Sequence, residues 1–584
     1  MTAAGEPRGR PAAASRSRAR RPADPAGGGC SVSPVTGMAH AHADDPGRKA
    51  RGAFFTPPGL CDHLTRWAVR DGADAVLEPS CGDAEFLVSA ARRLRALGAD
   101  DPDLIGIELH AESASRAAAR LRAEGVAPRV DVDDFFARAP EPRFDAVVGN
   151  PPYVRYQQFR GEPRAAARQA ALAAGVRLTA LASSWAAFTV HAALFLRPGG
   201  RLALVLPAEL LSVNYAADVR AFLMRRFARV RLVVFTERVF PGVQEEVVLL
   251  LAEGEGPTRH CELVQARDVA DLASREAPVS RWVPGDPAGK WTGALMDERA
   301  RDAFTDATSR PGAACLLEWG ETTLGTVTGN NRYFTLTLQQ VVDEGLAPAD
   351  IVRISPPGSA HLRPILDLDE ARWSRLAESG SPAWLLCPTG EPSPAARAYF
   401  DRGLGAGVHE GYKCRMRHPW WRTPLLAPPD LLLTYMNADA PRLVGNSAAV
   451  HHINSVHGVY LRPPHADAGR DLLPVACLNS VTLLGSETVG RAYGGGVLKL
   501  EPREADALPV PSPDLVASQA RPLGAIRDAV AADVAGGRLW DAVARVDRVV
   551  LAEGMGLGDA AIALIADARD ALRQRRAARG RARV

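Results

Sequence analysis

A chain of 584 residues with 47% hydrophobic and 23% charged side chains is too long for one ordinary domain and too apolar to be disordered throughout. Its net charge of +3 gives no bulk argument for an anionic partner. That sum hides an uneven distribution: nine basic against four acidic side chains in 1–51 and six Arg with no acid in 573–584 leave −8 on the body between.

Residues 1–50 are Ala, Pro, Arg, Gly and Ser with almost no large apolar side chain, and are expected to be a disordered extension, with Met38 as an internal start. They contain no apolar core of a secretory signal. From 51 to 255, short apolar runs alternate with amphipathic segments. Strands are predicted at Ala75–Leu77, Leu104–Glu108, Arg129–Val132, Phe144–Val148, Arg201–Leu206, Arg231–Phe235 and Glu246–Leu251. Helices are predicted at Cys61–Val69, Glu85–Leu97, Ala111–Ala123, Trp185–Leu196 and Ala216–Phe227. Strands separated by helices imply an α/β fold with a doubly wound, Rossmann-like seven-stranded sheet. The last two strands are too close for a helical crossover, so they form an antiparallel hairpin. Residues 256–312 read as a connector and 313–511 as a mixed α+β domain rich in Pro, Gly and aromatics. Residues 512–584 read as a helical C-terminus ending in the Arg tail.

The sharpest motif is Gly149-Asn150-Pro151-Pro152-Tyr153, directly after a strand. Ligands of open α/β sheets sit at the carboxyl ends of strands. Two prolines fix the chain so that carbonyls can face a cleft. Asn150 supplies an acceptor and Tyr153 a flat face, a set suited to a planar exocyclic amine. An Asn-Pro turn is the bland alternative. Upstream, Glu78-Pro79-Ser80-Cys81-Gly82 is a strand running into a small-residue turn and a helix, where backbone N–H groups can approach a ligand carboxylate. Glu108 ends the next strand and can accept ribose hydroxyls.

This order of elements with Asn-Pro-Pro-Tyr resembles the class I S-adenosylmethionine-dependent methyltransferases that act on amino groups, and within them the γ-class adenine-N6 DNA methyltransferases. The resemblance covers about 52–511. It implies a methyltransferase that takes a methyl from S-adenosyl-L-methionine to N6 of a flipped-out adenine in double-stranded DNA. It implies catalysis by Asn150, Pro151, Pro152 and Tyr153, with Phe240 lying on the base; a Phe240 tucked into the core is the alternative. It implies a cofactor held by Thr56, Glu78, Pro79, Ser80, Gly82, Glu108, Asp134 and Phe135. For Thr56 and Asp134 a helix cap, and for Phe135 plain core, are the alternatives. The family usually has a second Gly where this chain has Ala84, a strained position if it needs positive φ.

By the same resemblance, 313–511 is the target-recognition domain, opening near Asn330 and closing near Lys499. The segment from Tyr412 to Arg422 has four cations and no acid. Read as a strand, it puts Lys413, Arg415 and Arg417 on one face, with Tyr412 and Trp420 beside them, as DNA contacts. A solvated face is the alternative. His451, His452 and His457 match no zinc spacing, and eight Cys without a CxxC pair suggest a reducing compartment, so no metal is expected. No apolar run is long enough for a membrane span.

The expected setting is restriction–modification or phage defence in the bacterial cytoplasm. The nuclease signature Asp/Glu-x-Lys is missing, because Gly47, Ala288, Gly411 and Val497 stand two before the four Lys. A partner endonuclease or defence subunit would therefore be a separate chain. Methylation of RNA or of a protein glutamine, or a non-catalytic DNA-binding subunit, are the competing functions.

Overall fold

The computed structural model describes residues 56–155, 158–159, 161–237, 239–240, 246–274, 278–493 and 496–578. The expected disordered extension 1–50, Pro241 and Gly242 of the hairpin loop, and the last Arg residues from 579 onward lie outside the described residues.

All seven expected strands are present: β1 (Val76–Glu78), β2 (Leu104–Glu108), β3 (Val130–Val132), β4 (Phe144–Gly149), β5 (Leu196–Pro207), β6 (Arg229–Phe235) and β7 (Val247–Glu253). Two more, β8 (Cys261–Ala266) and β9 (Val279–Trp282), extend the sheet to the order β3-β2-β1-β4-β5-β7-β6-β8-β9. β1 to β5 are mutually parallel. β7 inserts antiparallel between β5 and β6, the expected hairpin. β8 runs parallel to β6 and β9 returns antiparallel to it. Sheet therefore continues into the stretch read as a connector. The two strands are short, and the residues between them, 267–278, are mostly charged or small, so no alternation marks them as a pair.

Strand alternation sorts the core into two layers. Along β5, Leu202, Leu204 and Leu206 join one apolar cluster while Ala203 and Val205 join the other. The helices α1 (Pro58–Ala68), α2 (Glu85–Ala96) and α3 (Ala111–Ala123) pack into the second cluster. The helices α4 (Glu162–Ala173), α5 (Ser184–Ala193) and α6 (Ala217–Arg226) pack into the first. Each Leu fully buried in these layers contributes roughly 1.5–3 kcal/mol. α4 carries no stripe of large apolar residues, because it buries only Ala167 and Ala171, so periodicity does not announce it.

Beyond the sheet, Ala313–Cys315 pairs antiparallel with Pro509–Pro511, so the chain enters and leaves this region side by side. Between them, Gly320–Leu324, Val456–Leu461, Leu431–Thr434 and Leu443–Gly445 form a four-stranded antiparallel sheet. The C-terminal helices, among them Ala520–Ala535, Leu539–Val546 and Asp559–Ala578, do not stand apart. Leu523, Val543, Ile565 and Leu572 share one core with Met296, Leu431 and Leu473. Among the described residues no single helix is long and apolar enough to cross a membrane.

Candidate functional site

The carboxyl ends of β1, β2 and β4 converge. The turn after β1 is clipped to β2: the Cys81 N–H donates to the Ile107 carbonyl at 2.9 Å, and the Gly82 N–H donates to Glu108 Oε2 at 2.9 Å. The His110 N–H donates to Glu108 Oε1, also at 2.9 Å, so backbone fixes the plane of this carboxylate. A Cβ on Gly106 would come within 2.7 Å of Leu87 and 3.0 Å of Cys81 Sγ, which explains a glycine in the middle of β2. Ala84 has φ 63° and ψ 32°, the left-handed conformation the usual Gly would adopt without strain. The turn keeps its shape with the methyl in place.

Glu78 is 3% exposed, and its Oε2 has no hydrogen-bond partner. Burial pushes its carboxyl well above the ordinary carboxylate range; a bond from the Leu87 backbone opposes this, while the Glu108 and Glu85 carboxylates add to it. Ser80 Oγ is likewise buried and unpartnered. A buried orphan carboxylate oxygen beside a buried orphan hydroxyl is costly in isolation and suits a ligand with an ammonium and donor groups. Burial pushes the Cys81 thiol far up, which removes it as a nucleophile.

Gly149 at the end of β4 lies against Glu78 and Pro79, since a Cβ there would sit 3.6 Å from Glu78 Cγ and 3.7 Å from Pro79 Cδ. Asn150 follows. Its Nδ2 donates to Thr56 Oγ1 at 3.1 Å, and its Oδ1 is buried without a partner. Thr56 does not cap α1: the cap position is Pro57, and the buried Thr56 hydroxyl is turned to the asparagine. The Tyr153 hydroxyl donates to the Val205 carbonyl at 3.0 Å. The half-buried tyrosine ring rests against both apolar layers.

Two aromatic expectations are corrected. Phe135 is 2% exposed and packs among Phe188, His191 and Phe195, with ring centroids 4.6–5.4 Å apart. The ring left half-buried at this point is Phe136. Asp134 caps the short turn by accepting from the Phe136 N–H at 3.0 Å, and that turn drives the first phenylalanine inward. Phe240 is 5% exposed and lies in the apolar cluster with Phe235, Val239 and Val247. A large ring in the connection between β6 and β7 gains more from that burial than from exposure. Sequence reasoning missed Leu109 and Val132, 62% and 57% exposed, one directly after Glu108 and the other paired with it across β2 and β3. Their signal was two aliphatic residues at the carboxyl ends of neighbouring strands.

In the second region, Tyr412–Arg415 is a single helical turn, not a strand. Gly411 and Pro419 bound the segment, and Cys414 buries against the Thr328 carbonyl, leaving no ladder to continue. Tyr412, Lys413 and Arg415 are exposed, with the Lys413 ammonium 5.7 Å from the Tyr412 ring centre. Arg417 turns inward and donates to the carbonyls of Thr328, at 2.8 Å, and Val327. Trp420 packs against Tyr333, Phe334 and Phe400. Arg417 and Trp420 thus hold the region together rather than face outward. Asn330 Oδ1 accepts from the Tyr333 N–H at 3.2 Å and caps the next turn. The Lys499 ammonium pairs with Glu501 at 2.8 Å and sits over Tyr435 and Tyr493. His457 bonds the Leu500 carbonyl and His451 the Leu426 carbonyl.

Two family models match the chain. The N-6 DNA Methylase model matches residues 40–275, and the model of the C-terminal domain of the Type II methyltransferase M.Eco57I matches 288–551. The Type II methyltransferase M.XamI of Xanthomonas campestris pv. amaranthicola is 26% identical over 504 residues, 82% of this chain and 89% of that protein. The Type II methyltransferase M.AccI of Acinetobacter calcoaceticus is 18% identical over 483 residues, 78% of this chain and 84% of that protein. The structure of the Type IIL restriction-modification enzyme MmeI in complex with DNA is similar with a TM-score of 0.54 at 13% identity, covering 89% of this chain and 75% of that one. At that identity the likeness concerns the fold.

Proposed function

The chain belongs to the adenine-N6-specific DNA methyltransferases of the class I S-adenosylmethionine-dependent superfamily, and from that premise we propose how its residues divide the work. The observation that carries the proposal is the Asn150 amide: one end held by Thr56, the other a buried oxygen with no partner.

Adenine within a duplex is out of reach, so the target base is extruded at a cost of a few kcal/mol. The Tyr153 ring offers a stacking surface worth roughly 1–3 kcal/mol. The N6 lone pair of adenine is delocalised into the ring and is a poor nucleophile. Asn150 Oδ1 and the Pro151 carbonyl accept the two N6 hydrogens, which favours a tetrahedral amine with a localised lone pair. Pro152 stiffens the loop, so this geometry is set before the base arrives.

S-adenosyl-L-methionine, when bound, supplies an electrophilic sulfonium methyl. The orphan oxygens of Glu78 and Ser80 fit its amino-acid end, with the turn at Pro79 and Gly82 and the Thr56 segment around it. Glu108 would accept from the ribose hydroxyls. Asp134, Leu109, Val132 and Phe136 would hold the adenine end, Phe136 replacing the Phe135 expected from sequence. Tyr412, Lys413 and Arg415 contact DNA phosphates or bases, with the recognition role spread over 313–511. The enzyme acts on double-stranded DNA in the cytoplasm, and an endonuclease partner is a separate chain.

The test is expression in a host lacking adenine methylation, followed by modification-detecting sequencing of its DNA. N6-methyladenine at one defined motif is expected. Labelled methyl on RNA or protein and none on DNA would overturn the proposal.

A further inference from the structure

The loop that carries Asn150 and Tyr153 is gripped by the first residue of α5. The Ser184 hydroxyl donates to the Pro152 carbonyl and accepts from the Val154 N–H at 2.9 Å. The Ser184 N–H donates to the Val154 carbonyl at 3.1 Å. One residue thus binds the backbone on both sides of Tyr153. Ser184 is 2% exposed, and every residue of α5 is buried, so the grip is fixed in a helix that cannot shift without opening the core. The next residue, Trp185, donates from Nε1 to the Tyr215 hydroxyl at 3.1 Å, and that hydroxyl donates to Glu209 at 2.6 Å. On the far side the Tyr153 hydroxyl is held by the Val205 carbonyl of β5.

A hydroxyl is the smallest group that can donate to one backbone group and accept from another through a single atom. The Pro152 carbonyl needs a donor and the Val154 N–H needs an acceptor, two residues apart in a turn of prolines. With Pro152 engaged, the acceptors left to the amino group of a base are those of Asn150 and Pro151. The peptide planes either side of Tyr153 determine which face its ring presents.

We propose that Ser184 is a positioning residue for methyl transfer: it sets the Asn150–Tyr153 loop in its reactive conformation and orients the Tyr153 ring toward the extruded base. This rests on the reading of Asn150–Tyr153 as the base-binding loop.

The test compares wild type, Ser184→Ala and Trp185→Phe as full-length protein. It uses two duplexes bearing the motif found by methylation mapping: one with adenine at the target position, for methyl transfer, and one with 2-aminopurine in its place, for fluorescence alone. Single-turnover methyl transfer, cofactor affinity and 2-aminopurine fluorescence are measured. Ser184→Ala is expected to slow transfer tenfold or more, keep cofactor affinity within threefold, and brighten the 2-aminopurine signal as stacking is lost. Trp185→Phe loosens the same helix without touching the loop and is expected to keep the wild-type signal. Ser184→Ala with wild-type rate and signal overturns the inference. So does a fall in cofactor affinity parallel to the rate, or a Trp185→Phe variant that reproduces the brightening. A wild-type protein that neither methylates DNA nor alters the 2-aminopurine signal fails the functional reading itself, independently of either variant.

Discussion

Asn150 and Thr56, 94 residues apart in the chain, are joined by a hydrogen bond of 3.1 Å from the asparagine Nδ2 to the threonine Oγ1. The bond fixes which end of the amide faces outward from β4. Without it the amide can rotate and offer N–H groups to an amine that needs acceptors. Asn150→Ala is expected to abolish methyl transfer while retaining S-adenosylmethionine binding. Thr56→Val is expected to slow transfer about 10-fold or more, below the roughly 100–1000-fold for losing a donor that touches the reacting group, because Thr56 acts through Asn150. Rapid-quench transfer assays beside calorimetric cofactor binding check both; equal loss of binding and rate in Asn150→Ala would contradict the assignment.

Ala84 pays for the absent glycine with a left-handed backbone at φ 63°. Ala84→Gly removes a strain of about 1–2 kcal/mol and loses part of that gain to the greater freedom of glycine in the unfolded chain. A net stabilisation of about 0.5–1 kcal/mol is expected, read as a higher denaturation midpoint with an unchanged slope. A lower midpoint would mean the methyl, fully buried against α2, contributes more by packing than the strain costs.

The raised Glu78 carboxyl makes stability depend on pH. A group whose folded value lies above its unfolded one favours the folded state most below the unfolded value. That contribution is lost as pH rises through the folded value. Ligand-free Glu78→Gln is therefore expected to melt above wild type at pH 8, with the gap narrowing toward pH 5. The same substitution is expected to weaken cofactor binding. Melting curves across that range, with and without S-adenosylmethionine, test the sign.

The segment from Tyr412 to Arg417 separates two kinds of cation. Lys413→Ala with Arg415→Ala removes two exposed charges and is expected to lower the slope of log K against log salt for DNA by about 2. Arg417→Ala takes away the donor to two internal carbonyls and is expected to cost stability instead. Binding titrations at several salt concentrations, paired with denaturant melts, distinguish them.

Arg576 in the last helix donates to the carbonyls of Asn437, Ala438, Asp439 and Gly496 and pairs with Glu487 at 2.8 Å. Both partners of the pair are buried, so Arg576→Met leaves Glu487 and four carbonyls behind. A loss of about 3–5 kcal/mol is expected by chemical denaturation. A loss under about 1 kcal/mol would show that the C-terminal helix is held by its apolar core contacts and not by this pair.

The first seven strands of the sheet and the Asn150–Tyr153 motif are legible in sequence because their signals are local: apolar runs set off by helical patterns, and four contiguous residues directly after a strand; β8 and β9, short and set in a charged stretch, are not. Phe135 and Phe136 show the limit. Adjacent rings in a short turn point in different directions, and composition does not say which turns inward. Arg417 shows another, since its partners lie about 90 residues upstream and are backbone carbonyls with no sequence signature. Ser184 is a third: the second of two serines at the start of an apolar helix, it carries no mark of the loop it holds.

β8 and β9 bear on how this protein can be dissected. A fragment ended at residue 255 would strip β8 from β6 and leave the N–H and C=O groups along Arg229–Phe235 as an open template for strand pairing with other chains. Such a piece would self-associate rather than report on methyl transfer alone. Trp282 of β9 meets the Trp291 ring at 6.1 Å, and the Trp291 N–H donates to the Leu211 carbonyl at 2.7 Å, so the seam of the methyl-transfer module falls beyond Trp291.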